Sequence, residues 1–203
     1  LVGREKYDVI VSQPSNPWQA GNANLFTAEY YRLAAAQLAE NGIFGQWLGL
    51  YDISPDNLKI ACNTFLSVFP YTLTFKVGAD LIMVGAAHPL AFDYRNLAEK
   101  IAAPRVSELL SSIGIKKPGD LIARHYFLSD ASLRTFADKS PINTDARPIL
   151  EYSFRYNLGE KMFGELKNQN LAALEKVSAA QAVPLSNLGA SNAEIAAALR
   201  ELG

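Results

Sequence analysis

The densest run of hydrogen-bonding chemistry is Gln13-Pro14-Ser15-Asn16-Pro17-Trp18, which sets two amides, a hydroxyl and an indole within six positions. Its two prolines fix φ and remove backbone donors, so the segment is stiff. A rigid polar loop of this kind suits the amines and hydroxyls of a small molecule. The same Asn and Ser would equally serve a purely structural loop by satisfying local backbone groups. Tyr51-Asp52 is a second candidate. Asp52 either supplies a carboxylate for proton transfer or merely flanks the helix cap at Ser54. Gln46 interrupts an apolar run and is either a pocket-lining amide or a satisfied core amide. His88 and His125 are isolated, without a carboxylate at ligand spacing, so no metal is expected. Cys62 lies among Leu58, Ala61 and Phe65 and reads as a small core hydrophobe. Asp145 and Arg147 are expected to pair and clamp their loop.

The elements that must position these residues follow from periodicity. Residues 7–12 are short and β-branched, as in a central strand apolar on both faces. Residues 13–26 form a loop. Thr27 caps a helix whose apolar face is Phe26, Tyr30, Leu33, Ala34 and Leu38, and Asn41-Gly42 stops it. Residues 43–50 are a second buried strand. Ser54-Pro55 opens a helix with Leu58, Ala61, Phe65 and Phe69 facing inward, and Pro70 ends it. Tyr71, Leu73, Phe75 and Val77 alternate with Thr72, Thr74 and Lys76, the period of a half-buried strand. Gly78-Ala79-Asp80 turns the chain into a strand over 81–86. Helical crossovers imply parallel neighbours, and the tight turn implies an antiparallel pair. The expectation is a parallel α/β sheet ending in a hairpin. In open sheets of this kind ligands sit outside the carboxyl ends of the parallel strands, which points at the loops 13–26 and 51–55. Residues 94–138 read as short helices broken at Pro104, Gly114 and Pro118-Gly119. Residues 139–152 read as irregular, and 157–203 as Ala/Leu-rich helix broken near Pro184–Gly189.

Composition bounds the partners. Of 203 residues, 49% are apolar, enough for a core and too many for general disorder. Nineteen Lys and Arg against twenty Asp and Glu leave a formal net charge of −1. Nucleic acid and anionic membrane surfaces both call for a clustered basic excess, so neither is an expected partner. A lone cysteine makes neither an internal disulfide nor a thiolate metal site. No apolar run approaches the ~18 residues of a membrane span. The chain opens at Leu1 without Met and close to a strand, and is expected to be an excerpt of a longer protein.

Tyr7-Asp8-Val9-Ile10-Val11-Ser12-Gln13-Pro14-Ser15-Asn16-Pro17, followed by Asn24-Leu25-Phe26-Thr27 and Tyr30-Tyr31, resembles the polyamine aminopropyltransferase (spermidine synthase) family. Gly42-Ile43-Phe44 with Gln46 is similar to the family's next strand and its glutamine, and Phe69-Pro70-Tyr71 to the approach to its hairpin. The run Asn143-Thr144-Asp145-Ala146-Arg147-Pro148-Ile149-Leu150-Glu151-Tyr152 resembles a segment of larger spermidine-synthase-like proteins whose methyltransferase-like domain follows transmembrane helices. The Pro-Ser-Asn-Pro-Trp loop looks like the same branch.

The resemblance implies an α/β fold: the carboxyl-terminal half of a Rossmann-like, class I methyltransferase-type sheet, ending in an antiparallel hairpin and followed by helices. Residues 1–90 would form that half-domain, 91–156 a helical and loop extension packed on it, and 157–203 a helical tail. It implies aminopropyl transfer from decarboxylated S-adenosylmethionine, or a related reaction of S-adenosylmethionine, to a small-molecule amine. The cytoplasm is the implied compartment, with the parent anchored in the inner membrane. The family's two loop carboxylates fall on Gln13 and Asn16, the implied catalytic positions, and Ser15, Trp18, Gln46, Tyr51 and Asp52 would line the substrate pocket. An amide takes up no proton at neutral pH and does not offset a diammonium charge. The alternative is therefore a non-catalytic ligand-binding or protein-interaction module of the same fold. The glycine-rich turn and acidic ribose ligand of such nucleoside sites do not occur in residues 1–203. A half-sheet also leaves a strand edge open, so a homodimer through that edge is expected.

Overall fold

A computed structural model describes residues 5–17, 21–51, 53–152, 160–178 and 183–186. The chain groups into two compact units, 1–89 with 127–181 and 90–126 with 182–203. The 91–156 segment is thus divided between them.

The first unit is built on a five-stranded mixed sheet, ordered β1-β2-β4-β3-β6. Its strands are β1 (Tyr7–Ser12), β2 (Leu38–Gly49), β3 (Tyr71–Val77), β4 (Asp80–Ala86) and the short β6 (Tyr126–Leu128). β1 and β2 are parallel, joined through α1 (Ala28–Ala35). α2 (Pro55–Leu66) carries the chain from β2 past one strand position to β3, and the hairpin strand β4 returns antiparallel between them. This is a mixed α/β sheet with the expected parallel pair and antiparallel hairpin, and β6 extends it beyond the hairpin. α6 (Asp130–Ala137) and α7 (Glu160–Ser178) complete the unit.

Local signals set the helix starts. The Thr27 hydroxyl accepts from the Tyr30 N–H, and the Ser54 hydroxyl accepts from the Asn57 N–H with Pro55 in the first turn. The helices cover one face of the sheet. There Tyr31, Phe44, Phe65 and Phe69 form a fully buried aromatic cluster, with Phe44 stacked on Phe69 at 5.1 Å and Tyr31 edge-on to Phe65 at 5.2 Å. Each such ring contributes roughly 1.5–3 kcal/mol by burial. Gly85 of β4 is the floor: a Cβ there would lie 2.5 Å from the Phe69 Cβ. Cys62 is buried in the same core, where burial pushes its thiol up to about 12.

Four expectations are corrected. First, β1 is an edge strand, and Tyr7, Val9 and Val11 are exposed on one face. Among the described residues no strand pairs with its outer side, the open edge expected of a half-sheet, whereas the expected burial on both faces is not met. Second, Asn41-Gly42 does not stop a helix. β2 already begins at Leu38, and Gly42 sits at a register shift opposite β1. A Cβ on Gly42 would lie 2.8 Å from the Tyr7 carbonyl oxygen, so glycine answers a close backbone approach. Third, α1 buries Tyr31 and Ala34 while Leu33 is exposed, a rotation of the expected face. Fourth, the middle of β3 is buried on both faces, Leu73 on the expected apolar face and the threonines on the other. Thr72 and Thr74 are buried on the helix side, where their hydroxyls donate to the Phe69 and Leu128 carbonyl oxygens at 2.9 and 3.2 Å. Satisfied hydroxyls bury without penalty, and only the strand's end residues Tyr71 and Val77 are exposed.

The second unit holds α3 (Tyr94–Ala102), α4 (Pro104–Ser112) and α5 (Pro118–His125), with a two-residue parallel pair of β5 (Phe92–Asp93) and β7 (Leu185–Ser186). The Asp93 carboxylate caps α3 by accepting from the Asn96 N–H at 2.9 Å. Gly114, at φ +79°, follows α4. In front of α5, Asp120 accepts from the Lys116 and Lys117 N–H groups, which holds its carboxyl below the usual value.

Candidate functional site

β1 and β2 deliver their carboxyl ends side by side. Ser12, the last residue of β1, is paired in register with Gln46, and both side chains are buried on the helix side of the sheet. The loop that leaves Ser12 keeps Gln13 and Ser15 exposed, turns Asn16 half inward and buries Pro17. The candidate loop thus departs from the residue paired with Gln46. Trp18 lies outside the described residues.

Gln46 is fully buried in mid-strand. Its side-chain N–H donates to the Trp47 carbonyl oxygen at 3.0 Å, while its Oε1 has no partner. An orphaned buried acceptor costs on the order of 1–3 kcal/mol. The arrangement leaves one acceptor free to receive an N–H or O–H from elsewhere. It is neither the fully satisfied core amide nor a solvent-facing group.

The second loop starts at Gly49-Leu50. Tyr51 folds back so closely that a Cβ on Gly49 would lie 2.9 Å from its ring. Tyr51 is half-buried, and Asp52 lies outside the described residues. The turn is held from α7. Buried Asn170 donates its side-chain N–H groups to the carbonyl oxygens of Leu50 and Ile53, both at 2.8 Å. Sequence reading missed Asn170. Its one signal is a polar residue set into the apolar spacing of Leu171 and Leu174.

The 139–152 segment supports the first loop from behind. Buried Asn143 donates its side-chain N–H to the Phe26 carbonyl oxygen at 3.0 Å and accepts the Leu150 N–H on Oδ1 at 3.2 Å. Its backbone N–H reaches the Thr64 hydroxyl, and its carbonyl accepts from the Ala28 N–H. Glu29 accepts the Asp145 N–H at 3.0 Å, which with nearby Arg32 holds its carboxyl below the usual 4.5. The Asn24–Thr27 run and the Asn143–Tyr152 run, far apart in sequence, are thus one hydrogen-bonded unit. The clamp itself differs from the expected Asp145–Arg147 pair. Both side chains are exposed, where an ion pair gains little, and Thr144 and Arg147 instead close a backbone turn at 3.1 and 3.3 Å.

Of the sequence candidates, Gln46 is paired with Ser12, from which the 13–17 loop departs, and Tyr51 lies just past the end of β2. Loop residues 13–17 carry no carboxylate. Among the described residues no group of three His, Cys, Asp or Glu could hold a metal ion. No helix among them is long and apolar enough to cross a membrane.

No protein-family model matches the chain, and no curated protein does. Among solved structures it is similar to a probable spermidine synthase from Corynebacterium glutamicum ATCC 13032, at 13% identity and a TM-score of 0.42. That likeness covers 71% of this chain and 50% of the other, so the chain spans about half the length of the structure it matches.

Proposed function

We propose that this chain is the acceptor-side half of a spermidine-synthase-like transferase domain. Its donor is decarboxylated S-adenosylmethionine or S-adenosylmethionine, and its acceptor a small-molecule amine. The observation that carries this reading is buried Gln46, with its unpartnered Oε1, in register with Ser12 at the root of the 13–17 loop. An acceptor held without a protein donor suits an amine or the exocyclic N–H of a nucleobase. Gln13, Ser15 and Asn16 add amide and hydroxyl groups that orient such a ligand, and Trp18, Tyr51 and Asp52 complete the proposed lining. The residues present fit the amine side of such a complex. They do not supply its ribose side, since neither a glycine-rich turn nor an acidic partner about 20 positions later is found in the chain.

Calorimetric titration of the full natural protein with methylthioadenosine tests the reading. Binding is expected, weakened about tenfold or more by Gln46→Met, which keeps the volume and removes the acceptor (about tenfold per 1.4 kcal/mol). Absence of binding by the folded protein at millimolar ligand overturns it.

A second reading is favoured by a different observation: amides at positions 13 and 16, where the family places carboxylates. A neutral amide does not draw a proton from an attacking amine. On this reading the domain binds its ligand, or a protein, without turnover. Putrescine turnover by the wild-type protein would exclude it. If the transferase reading holds, Gln13→Asp with Asn16→Asp raises turnover of a diamine.

A further inference from the structure

We propose that Asn170 of α7 is a positioning residue of the candidate site: it sets the bend that carries Tyr51 and, through that bend, the affinity for the ligand. The inference rests on the ligand reading above and adds to it a residue 120 positions beyond Leu50. Leu50, Tyr51 and Ile53 form a bend rather than a hydrogen-bonded turn. In a β-turn the Leu50 carbonyl would accept from the Ile53 N–H. Here the Leu50 and Ile53 carbonyl oxygens both accept from the Asn170 side-chain nitrogen, each at 2.8 Å. Two acceptors on one amide nitrogen lie about 5 Å apart, whereas three extended residues reach roughly 10 Å. The shape of the bend is thus imposed from α7.

The helix is a firm base for this grip. Leu174, one turn on from Asn170, is fully buried in the core, and Leu171 and Val177 pack against it. Glu175 pairs with Lys76 of β3 at 3.5 Å. Asn170 is itself fully buried, and while its nitrogen serves two carbonyls its Oδ1 has no partner. A residue wanted only for packing would be apolar here, and a structural amide would satisfy both of its ends. An orphaned buried acceptor costs stability, and such a cost is kept where function needs the group. What Asn170 supplies is its two donors to the bend. Leu50 and Ile53 are buried too, so neither carbonyl has water to turn to if the amide is lost. The Tyr51 ring packs on Gly49 with no room for a Cβ between them, so a shift of the bend displaces the ring from β2.

Asn170→Leu removes both donors at similar volume. In calorimetric titration of the full natural protein with methylthioadenosine, this variant is expected to bind about tenfold more weakly than wild type, the scale of one hydrogen bond. Amide exchange in residues 50–54 of the ligand-free protein should quicken in parallel. Leu174→Val lowers stability through the same helix but leaves the grip on the bend, so it should bind as wild type does. Asn170→Ser keeps one donor and takes the place of the leucine variant if that one does not fold. Wild-type affinity in a folded Asn170 variant overturns the inference and leaves the ligand reading standing. An equal loss in Leu174→Val overturns it as well, because affinity would then follow stability. If the wild-type protein binds no methylthioadenosine, the ligand reading fails and this inference falls with it.

Discussion

At the scale of single residues, three buried amides carry most of the polar organisation of the first unit, and they differ in what they are for. Asn143 is satisfied on both side-chain atoms and through its backbone. Asn143→Ala strands the Phe26 carbonyl and the Leu150 N–H, so a loss of about 2–4 kcal/mol is expected in urea denaturation. Gln46 keeps an unpartnered acceptor. Gln46→Met should therefore leave the ligand-free protein as stable as wild type or slightly more so, read as an equal or higher melting temperature. A clear drop would make Gln46 a structural amide and remove the basis for the proposed site. Gln46 and Asn143 both stood out in the sequence, one as a polar break in an apolar strand and the other within a motif. Asn170 did not, because the spacing of a helix does not reveal that its amide meets two carbonyl oxygens more than a hundred positions earlier.

At the scale of elements, the sequence revealed order and direction but not which face is covered. The caps at Thr27 and Ser54 and the tight turn at Gly78 are local, and they formed where their residues indicate, whereas α1 ends at Ala35, well before the expected stop. The facing of β3 is not local. Its apolar residues alternate with threonines, and the threonines lie inward because Phe69 and Leu128 carbonyl oxygens happen to wait there. The Leu128 partner comes from a distant segment, so a period of two alone does not reveal that the threonine face is buried as well. The aromatic cluster then imposes a demand that the sequence shows only as a glycine. Gly85→Ala forces a Cβ into Phe69 and Phe65, with an expected cost of about 1–3 kcal/mol or more from overpacking. Gly45→Ala is the control within the same sheet, because its added Cβ meets Val11 at an ordinary 3.8 Å. Equilibrium unfolding should separate the two variants, and equal losses would mean that the Phe69 contact is not the cause.

At the scale of the whole molecule, β1 shows why burial was harder to foresee than topology. A β-branched run specifies a strand, but whether that strand is central depends on what pairs with its other edge. Two carboxylates, one in each unit, make the molecule's acid response predictable instead. Glu29 accepts the Asp145 N–H and lies beside Arg32 in the first unit. Asp120 accepts the Lys116 and Lys117 N–H groups and lies near Arg124 in the second. Both are held below their ordinary values of 4.5 and 3.8, so each binds its proton more weakly folded than unfolded. The stability they contribute is complete above those ordinary values and is lost as pH falls through the lower folded ones. Both carboxyls are largely solvated, so each effect is modest. Melting temperatures measured from pH 7 down to about pH 3 should fall most steeply below about pH 4.5. Glu29→Gln and Asp120→Asn together should lower the plateau at neutral pH and flatten that acid limb. An acid limb as steep in the double variant as in wild type would assign the response to other carboxylates and leave these two hydrogen-bonded carboxylates without a role in it.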